Sequence, residues 1–300
     1  MNVKIGTRGS KLALAQTSNV LELLAEQDIP AESKIIVTSG DAMHDRDLHQ
    51  IGGQGVFVHE LDNAILHGDI DAAVHSMKDI PVDRPDGIIT AAILPRDPPY
   101  DFLVSNQPVK NLKNIYSIGT SSTRRRAQLL RYYQSMPLVL VEPLRGNVDT
   151  RLEKLNNGFY DAIVLAEAGL VRLGYHVNGM RLPVDQFVPS PNQGTVAVVC
   201  RDTSELREIF APLNDFQTTF DTGVERLIME QVGGGCFTPQ GIFCRDGHLI
   251  AEVLSLAGDR SNRIVENVQS FEEAIEIGMQ FRDIASDLIE EVKITIGSKS

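Results

Sequence analysis

Residues 71–83 read DAAVHSMKDIPVD. The run Asp71-Ala72-Ala73-Val74 is short and apolar and lies between Gly68 and Pro81, the pattern of a strand buried on both faces that stops near His75. His75, Lys78 and Asp79 then bring a histidine, a lysine and an aspartate into five consecutive positions. A buried strand with this ending leaves Lys78 and Asp79 at the carboxyl edge of a sheet, where open α/β sheets hold their ligands. Two solvated charges after a strand would give the same local pattern, so the rest of the chain has to decide.

Outward from this stretch, strands alternate with helices through roughly the first two hundred residues, which implies parallel sheet covered by helices on both faces. VKIGTR (3–8) reads as a strand, and Ser10 stands where an N-cap belongs, before a helix whose Ala13, Val20, Leu21 and Leu24 fall near one face. KIIVTS (34–39) and GIITAAI (87–93) are further strands, separated by the turn GGQGVF (52–57) and the helical HELDNAILHG (59–68). After the proline-rich RDPPYD (96–101) the pattern restarts with DFLVS, YSIGTSS, PLVLVEP and YDAIVLAEAGL. PSPNQGTVAVVCR (189–201) has the punctuation of a second crossing, and its apolar run is expected to return to the first sheet, which makes a hinged cleft. From about residue 215 the texture changes to a helix through VERLIMEQV, the loop GGGCFTPQG, hairpin-like strands and a closing helix with Ala274, Ile277, Phe281, Ile284 and Leu288 on one face. The expectation is an α/β protein of three domains: residues 1–94 with 193–213, residues 95–192, and a smaller α+β domain at 214–300.

Composition narrows the function. A chain of 300 residues, 42% apolar, can bury more than one core. Its formal net charge of −12 argues against a general nucleic-acid or membrane-surface binder, so any anion site must be built locally. The opening MNVKIGTRGS enters a strand at once, without the regions of a signal peptide, and no apolar run reaches membrane-span length, which points to a cytoplasmic protein. Cys200, Cys236 and Cys244 are too few and too scattered for a disulfide framework or a paired zinc site.

The local anion site has a candidate in IGTSSTRRRAQLL (118–130). A strand ending in Gly-Thr-Ser-Ser and turning into a helix offers free amides and the hydroxyls of Ser121 and Ser122 to an anion. Arg124, Arg125 and Arg126 follow at a helix amino end, where the macrodipole disfavours cations and a purely structural turn would carry acids. PLRGNVDTRLEKL repeats the logic with Arg145 and Arg151, and Arg8 beside Ser10 is a third strand end of this kind. Arginine forks suit carboxylates and phosphates; with no P-loop or GxGxxG in the chain, clustered carboxylates are the expected ligand. A two-lobed, non-catalytic binder of a small polycarboxylate fits these features too, although it has no use for an acid beside its anion site or for a glycine-framed cysteine.

AVHSMKDIP, GTSSTRRR, LRGNVDTRL, DAIVLAEAGLVRLG and GGGC, in this order and spacing, resemble the motifs of the porphobilinogen deaminase family along nearly the whole chain. The resemblance implies two domains like those of periplasmic binding proteins and a third whose cysteine holds a dipyrromethane cofactor. The implied reaction is that of hydroxymethylbilane synthase, a transferase: four porphobilinogen molecules join head to tail, ammonia is lost at each coupling, and the linear tetrapyrrole is released by hydrolysis. Asp79 is implied to be the catalytic carboxylate and Lys78 to pair with cofactor carboxylates. Ser121, Ser122, Arg124, Arg125 and Arg145 are implied to bind the cofactor's acidic side chains, with Arg8, Ser10 and Arg151 on substrate and Gln193 at the edge of the site. The implied partner is a small-molecule substrate, with neither nucleic acid nor membrane, and the implied state is a monomer.

Cys236 also has a case of its own, since Gly233, Gly234 and Gly235 permit unusual backbone angles and close approach of a ligand. Its thiolate is the expected attachment point, whereas Cys200 and Cys244 sit in apolar strands. Two positions depart from the family pattern. Gln54 replaces a lysine usual in GGQGVF, and PRDPPYDF lacks the second arginine of the usual DPRDA.

Overall fold

The computed structural model describes residues 2–37, 56–82, 84–109, 112–113, 115–134 and 139–297. Gln54 and the rest of its turn up to Gly55 lie outside the described residues. In chain order the described elements are β1 (Val3–Thr7), α1 (Lys11–Ala25), β2 (Ala31–Ile35), α2 (Val56–Leu66), β3 (Ala72–Ser76), β4 (Ile88–Ile93), β5 (Asp101–Ser105), β6 (Ser117–Gly119), α3 (Thr123–Tyr132), β7 (Leu140–Glu142), α4 (Val148–Asn156), β8 (Ala162–Ala166), α5 (Glu167–Arg172), β9 (Gly179–Arg181), β10 (Val196–Arg201), α6 (Ser204–Phe210), α7 (Phe216–Val232), β11 (Gln240–Arg245), β12 (His248–Leu254), β13 (Ser261–Asn267) and α8 (Phe271–Gly297). The chain divides into two compact units, Met1–Asp97 with Gly194–Thr219, and Pro98–Gln193 with Phe220–Ser300.

Unit 1 is built on a five-stranded sheet in the order β2-β1-β3-β10-β4. β1 is parallel to both β2 and β3, but β10 runs antiparallel to β3 and β4, so the sheet is mixed where all-parallel pairing was expected. The apolar run after PNQG does return to this sheet, and from the opposite end, which is why its pairing is antiparallel. β3 is buried over Ala72–His75, as its apolar run requires. Ala72 and Val74 face one core with Val20 and Leu24 of α1 and Phe210 of α6, while Ala73 joins Leu61 and Ile65 of α2 on the other. α1 starts where its cap chemistry dictates: the Ser10 hydroxyl accepts the Ala13 N–H at 3.3 Å. β2 begins earlier than KIIVTS suggests and ends at Ile35; Val37 is 79% exposed.

Unit 2 carries a second mixed sheet, β7-β6-β8-β5-β9, in which β6 is parallel to β7 and β8 while β5 is antiparallel to β8 and β9. Its other sheet, β11-β12-β13, is antiparallel throughout. That sheet packs against Val224, Ile228 and Val232 of α7 and Ala274, Phe281, Ala285 and Leu288 of α8. Burying a side chain of the size of Phe281 is worth roughly 2–3 kcal/mol, so this helix face holds the sheet firmly. Ile284, expected on the buried face, is 56% exposed, because the stripe continues through Ala285 instead.

Candidate active site

In unit 1 the parallel register of β1 and β3 decides the geometry. Ile5 lies opposite Ala72 and Gly6 opposite Ala73, so both strands release their next residues at one edge. Arg8 and Ser10 leave β1 there, and Lys78 and Asp79 leave β3 in a short 3-10 turn, Met77–Asp79. Lys78 and Asp79 are both exposed. The turn is braced from behind: the Met77 N–H donates to the Thr195 carbonyl at 2.9 Å, and the Gln16 amide donates to the Ser76 hydroxyl at 2.8 Å. Ser10 spends its hydroxyl as the α1 cap, so its contact with any ligand is limited to what that role leaves free.

His75 is buried, and its Nε2 has no hydrogen-bond partner among the described residues. Burial first, then the charges of Arg84 and Arg8, pull it down to about 3, so the imidazole is neutral at physiological pH. Arg84 itself donates to Asp62 at 2.6 Å. A neutral, buried ring on the core side of the strand suits a packing role.

In unit 2 the same construction recurs. β6 and β7 are parallel neighbours, and each runs directly into a helix at one edge. After β6, Ser122 caps α3 by accepting the Arg125 N–H at 3.4 Å, and after β7, Asn147 caps α4 by accepting the Thr150 N–H at 2.9 Å. The Ser121 hydroxyl locks the two turns together, donating to the Leu144 carbonyl at 2.8 Å and accepting the Leu144 N–H at 3.0 Å. Arg145 is exposed in the second turn, and the Arg151 Nε donates to the Gly146 carbonyl at 2.7 Å.

Arg124 and Arg125 are not open forks at the helix tip. Both are buried around one acid, Asp101, the first residue of β5. Arg124 donates to Asp101 Oδ2 at 2.6 Å and also to Gln128 and the Val188 carbonyl. Arg125 reaches Asp101 Oδ1 from Nε at 3.0 Å, the Val164 carbonyl from Nη1 and Gln193 Oε1 from Nη2. Gln193 completes the set by donating to Asp101 Oδ1 at 3.0 Å and to the Pro99 carbonyl at 2.7 Å. Arg126 points elsewhere, exposed, to the Leu256 carbonyl.

Asp101 is thus the residue that local sequence reasoning misses: an acid opening a strand after a proline-rich run has no signature of its own. It also explains how two arginines are tolerated at a helix amino end. Burial opposes ionisation of Asp101, but the two guanidiniums and the hydrogen bonds from Arg124 and Gln193 win and hold its carboxyl well below the usual range. One carboxylate is shared by two arginines, and burial together with the like charge of Arg125 pulls half-buried Arg151 down to about 10. The cluster therefore carries an excess of positive charge in a chain whose net charge is −12. What such an arrangement can do chemically is hold carboxylates.

The third feature follows α7. Gly233, Gly234 and Gly235 adopt φ of +67°, +82° and +70°, a left-handed run that side chains rarely follow, and Cys236 comes next in a 3-10 turn, Gly235–Phe237. The other thiols are buried: Cys200 is pushed up to about 11 by burial, and Cys244 is raised by burial and by Asp221 and Glu225. Neither supplies a thiolate readily. Among the described residues no group of three or more His, Cys, Asp or Glu could hold a metal ion, and no helix is long and apolar enough to cross a membrane.

A strand-edge acid, a carboxylate-holding arginine cluster and a glycine-framed cysteine describe an α/β enzyme acting on an acidic small molecule. Residues 3–208 match the family model described as porphobilinogen deaminase, dipyromethane cofactor binding domain. A protein of Methanosarcina acetivorans named probable porphobilinogen deaminase is 48% identical over 91% of this chain and 89% of its own length. One of Archaeoglobus fulgidus with the same name is 43% identical over 94% and 98%. A fainter likeness, TM-score 0.41 at 12% identity over 72% of this chain and 93% of the other, is to a periplasmic substrate-binding protein from Coxiella burnetii.

The chain belongs to the porphobilinogen deaminase family. Its activity is that of hydroxymethylbilane synthase, a transferase of tetrapyrrole biosynthesis that uses a dipyrromethane cofactor, and the non-catalytic binding alternative falls away. The matched span, 3–208, ends before Cys236.

Proposed function

We propose that Asp79 is the catalytic carboxylate and that the arginine cluster of unit 2 receives the acetate and propionate groups of the pyrroles. The observation that carries this reading is the positive excess around Asp101: two buried arginines on one acid, with Arg151 depressed beside them. Carboxylates arriving there relieve a like-charge repulsion already present, so binding gains from the preset charges. Arg145 stands exposed on the neighbouring turn, and Arg124 lies buried against Asp101. Ser121 and Ser122 shape the two turns and offer backbone amides between them.

The cofactor fits the residues present, because its pyrroles carry acidic groups that offset the positive excess of this cluster and the glycine run gives Cys236 a loop that a bulky adduct can approach. Cys236 is the proposed attachment point, with Lys78, Ser121, Ser122, Arg124, Arg125 and Arg145 holding the carboxylates. When bound, the group supplies a tethered primer, which makes each coupling effectively intramolecular. Arg8, Ser10, Arg151 and Gln193 are assigned to the incoming porphobilinogen. As ammonia departs, positive charge develops on the substrate, and the Asp79 carboxylate stabilises it in the transition state more than in the ground state. The division of labour follows the three domains: 1–94 with 193–213 carries Asp79, 95–192 the arginines, and 214–300 the cysteine. The same reading makes the protein a cytoplasmic monomer.

Asp79→Asn tests the central assignment. The amide keeps the shape and loses the charge, so turnover should fall by about 10²–10³ while the protein folds and binds substrate. Ammonia release from porphobilinogen by Asp79→Asn at a near-normal rate would remove Asp79 from the mechanism.

A further inference from the structure

Glu225 sits in α7, wholly buried, with its two carboxylate oxygens facing different segments of unit 2. Oε1 accepts the Cys244 N–H of β11 at 2.7 Å, and Oε2 accepts the Asn192 N–H at 2.6 Å. Asn192 stands at φ +61°, a left-handed angle that asparagine tolerates better than most residues and that needs an outside hold on its N–H to persist. The next residue is Gln193, whose amide bridges Asp101 and Arg125. The chain of hydrogen bonds therefore runs Glu225, Asn192 backbone, Gln193 side chain, Asp101 with Arg125. Glu225 also lies seven residues before Val232, the end of the helix that leads into the Cys236 loop, about 10 Å along the axis at about 1.5 Å per residue.

We infer that Glu225 is a positioning residue for the arginine site: its buried carboxylate fixes Asn192, which sets Gln193, which orients Arg125 against Asp101, from the same helix that delivers the cysteine loop. This rests on the proposed role of the arginine cluster in receiving the carboxylates of the pyrroles, those of cofactor and substrate alike. A carboxylate is needed because both segments present N–H donors, and an amide at this place turns one acceptor into a donor facing a donor.

The test is steady-state kinetics on reconstituted holoenzyme with porphobilinogen, for Glu225→Gln, Gln193→Ala and the double variant. Each single change should raise KM about ten-fold, the loss expected for one charge-assisted hydrogen bond, with a smaller change in kcat. The double variant should be no worse than the weaker single one, since both break the same chain. A merely structural Glu225 would lower the melting temperature, leave KM alone and add its effect to that of Gln193→Ala; either result overturns the inference. If Glu225→Gln does not fold, Asn192→Ala replaces it: it keeps the N–H but disfavours the left-handed angle, and it should raise KM in wild-type background and not in Gln193→Ala. An unchanged KM there overturns the inference as well. Failure of wild-type holoenzyme to release ammonia would sink the underlying reading, whereas active wild type with unaffected variants sinks only the role of Glu225.

Discussion

Arg124 Nη1 and Asp101 Oδ2 lie 2.6 Å apart between side chains that are 5% and 1% exposed. Removing one partner of a buried pair leaves an uncompensated charge, so Asp101→Asn should destabilise the fold by about 3–5 kcal/mol at neutral pH. The pH dependence has a definite sign. Because the folded carboxyl titrates below the unfolded one, the stabilisation is complete above the ordinary carboxylate value near 4 and is lost as pH falls through the folded value. The gap between the urea midpoints of wild type and Asp101→Asn should hold from pH 7 to about pH 4 and begin to narrow from there to pH 3. A gap of constant size across that range would contradict the pairing.

His75 titrates in the opposite sense to a paired histidine. Its folded value is depressed to about 3 by burial, Arg84 and Arg8, so the unfolded chain takes up a proton near pH 6.5 while the fold does not. Stability from the neutral ring is complete above pH 6.5 and drains away as pH drops toward 3. Between pH 7 and pH 5 wild type should lose about 2 kcal/mol more than His75→Gln, which does not titrate. Parallel stability profiles for the two proteins would show that His75 takes up its proton in the fold.

The glycine run before Cys236 makes a graded prediction. A Cβ on Gly234 would lie 2.2 Å from Thr238 Oγ1, the atom that donates to the Gly234 carbonyl at 2.7 Å, whereas one on Gly233 meets nothing within 4 Å. Both substitutions bear a left-handed backbone cost of about 1–2 kcal/mol, but only Gly234→Ala must also reshape the loop. Followed by intact mass during incubation with porphobilinogen, cofactor attachment should be slower in Gly234→Ala than in Gly233→Ala. Equal rates would mean that the shape of this loop does not govern attachment.

The elements that position the site were legible because they carry local signals. The run Ala72–Val74, the Ser10 cap and the helix through VERLIMEQV each follow from pattern or capping chemistry, and each is present, whereas the Ser122 hydroxyl, expected on an anion, caps α3. Strand direction was not legible, since β10 has the apolar composition of a buried strand whichever way it runs. Nor were Asp101 and Glu225. Their importance comes from partners 23 to 92 and 19 to 33 residues away, and no short window shows it. Arg124 and Arg125 stood out as misplaced cations, and the structure supplies what the sequence alone left out, the acid that keeps them there.

The most direct measurement is the intact mass of the protein after incubation with porphobilinogen, followed by peptide mapping. The mass should exceed that of the sequence by two porphobilinogen units less two ammonia molecules, the added mass should sit on the fragment containing GGGCFTPQG, and Cys236→Ser should lack it and make no tetrapyrrole. An adduct on Cys200 or Cys244, or substrate-exposed protein with no added mass at all, would contradict the account.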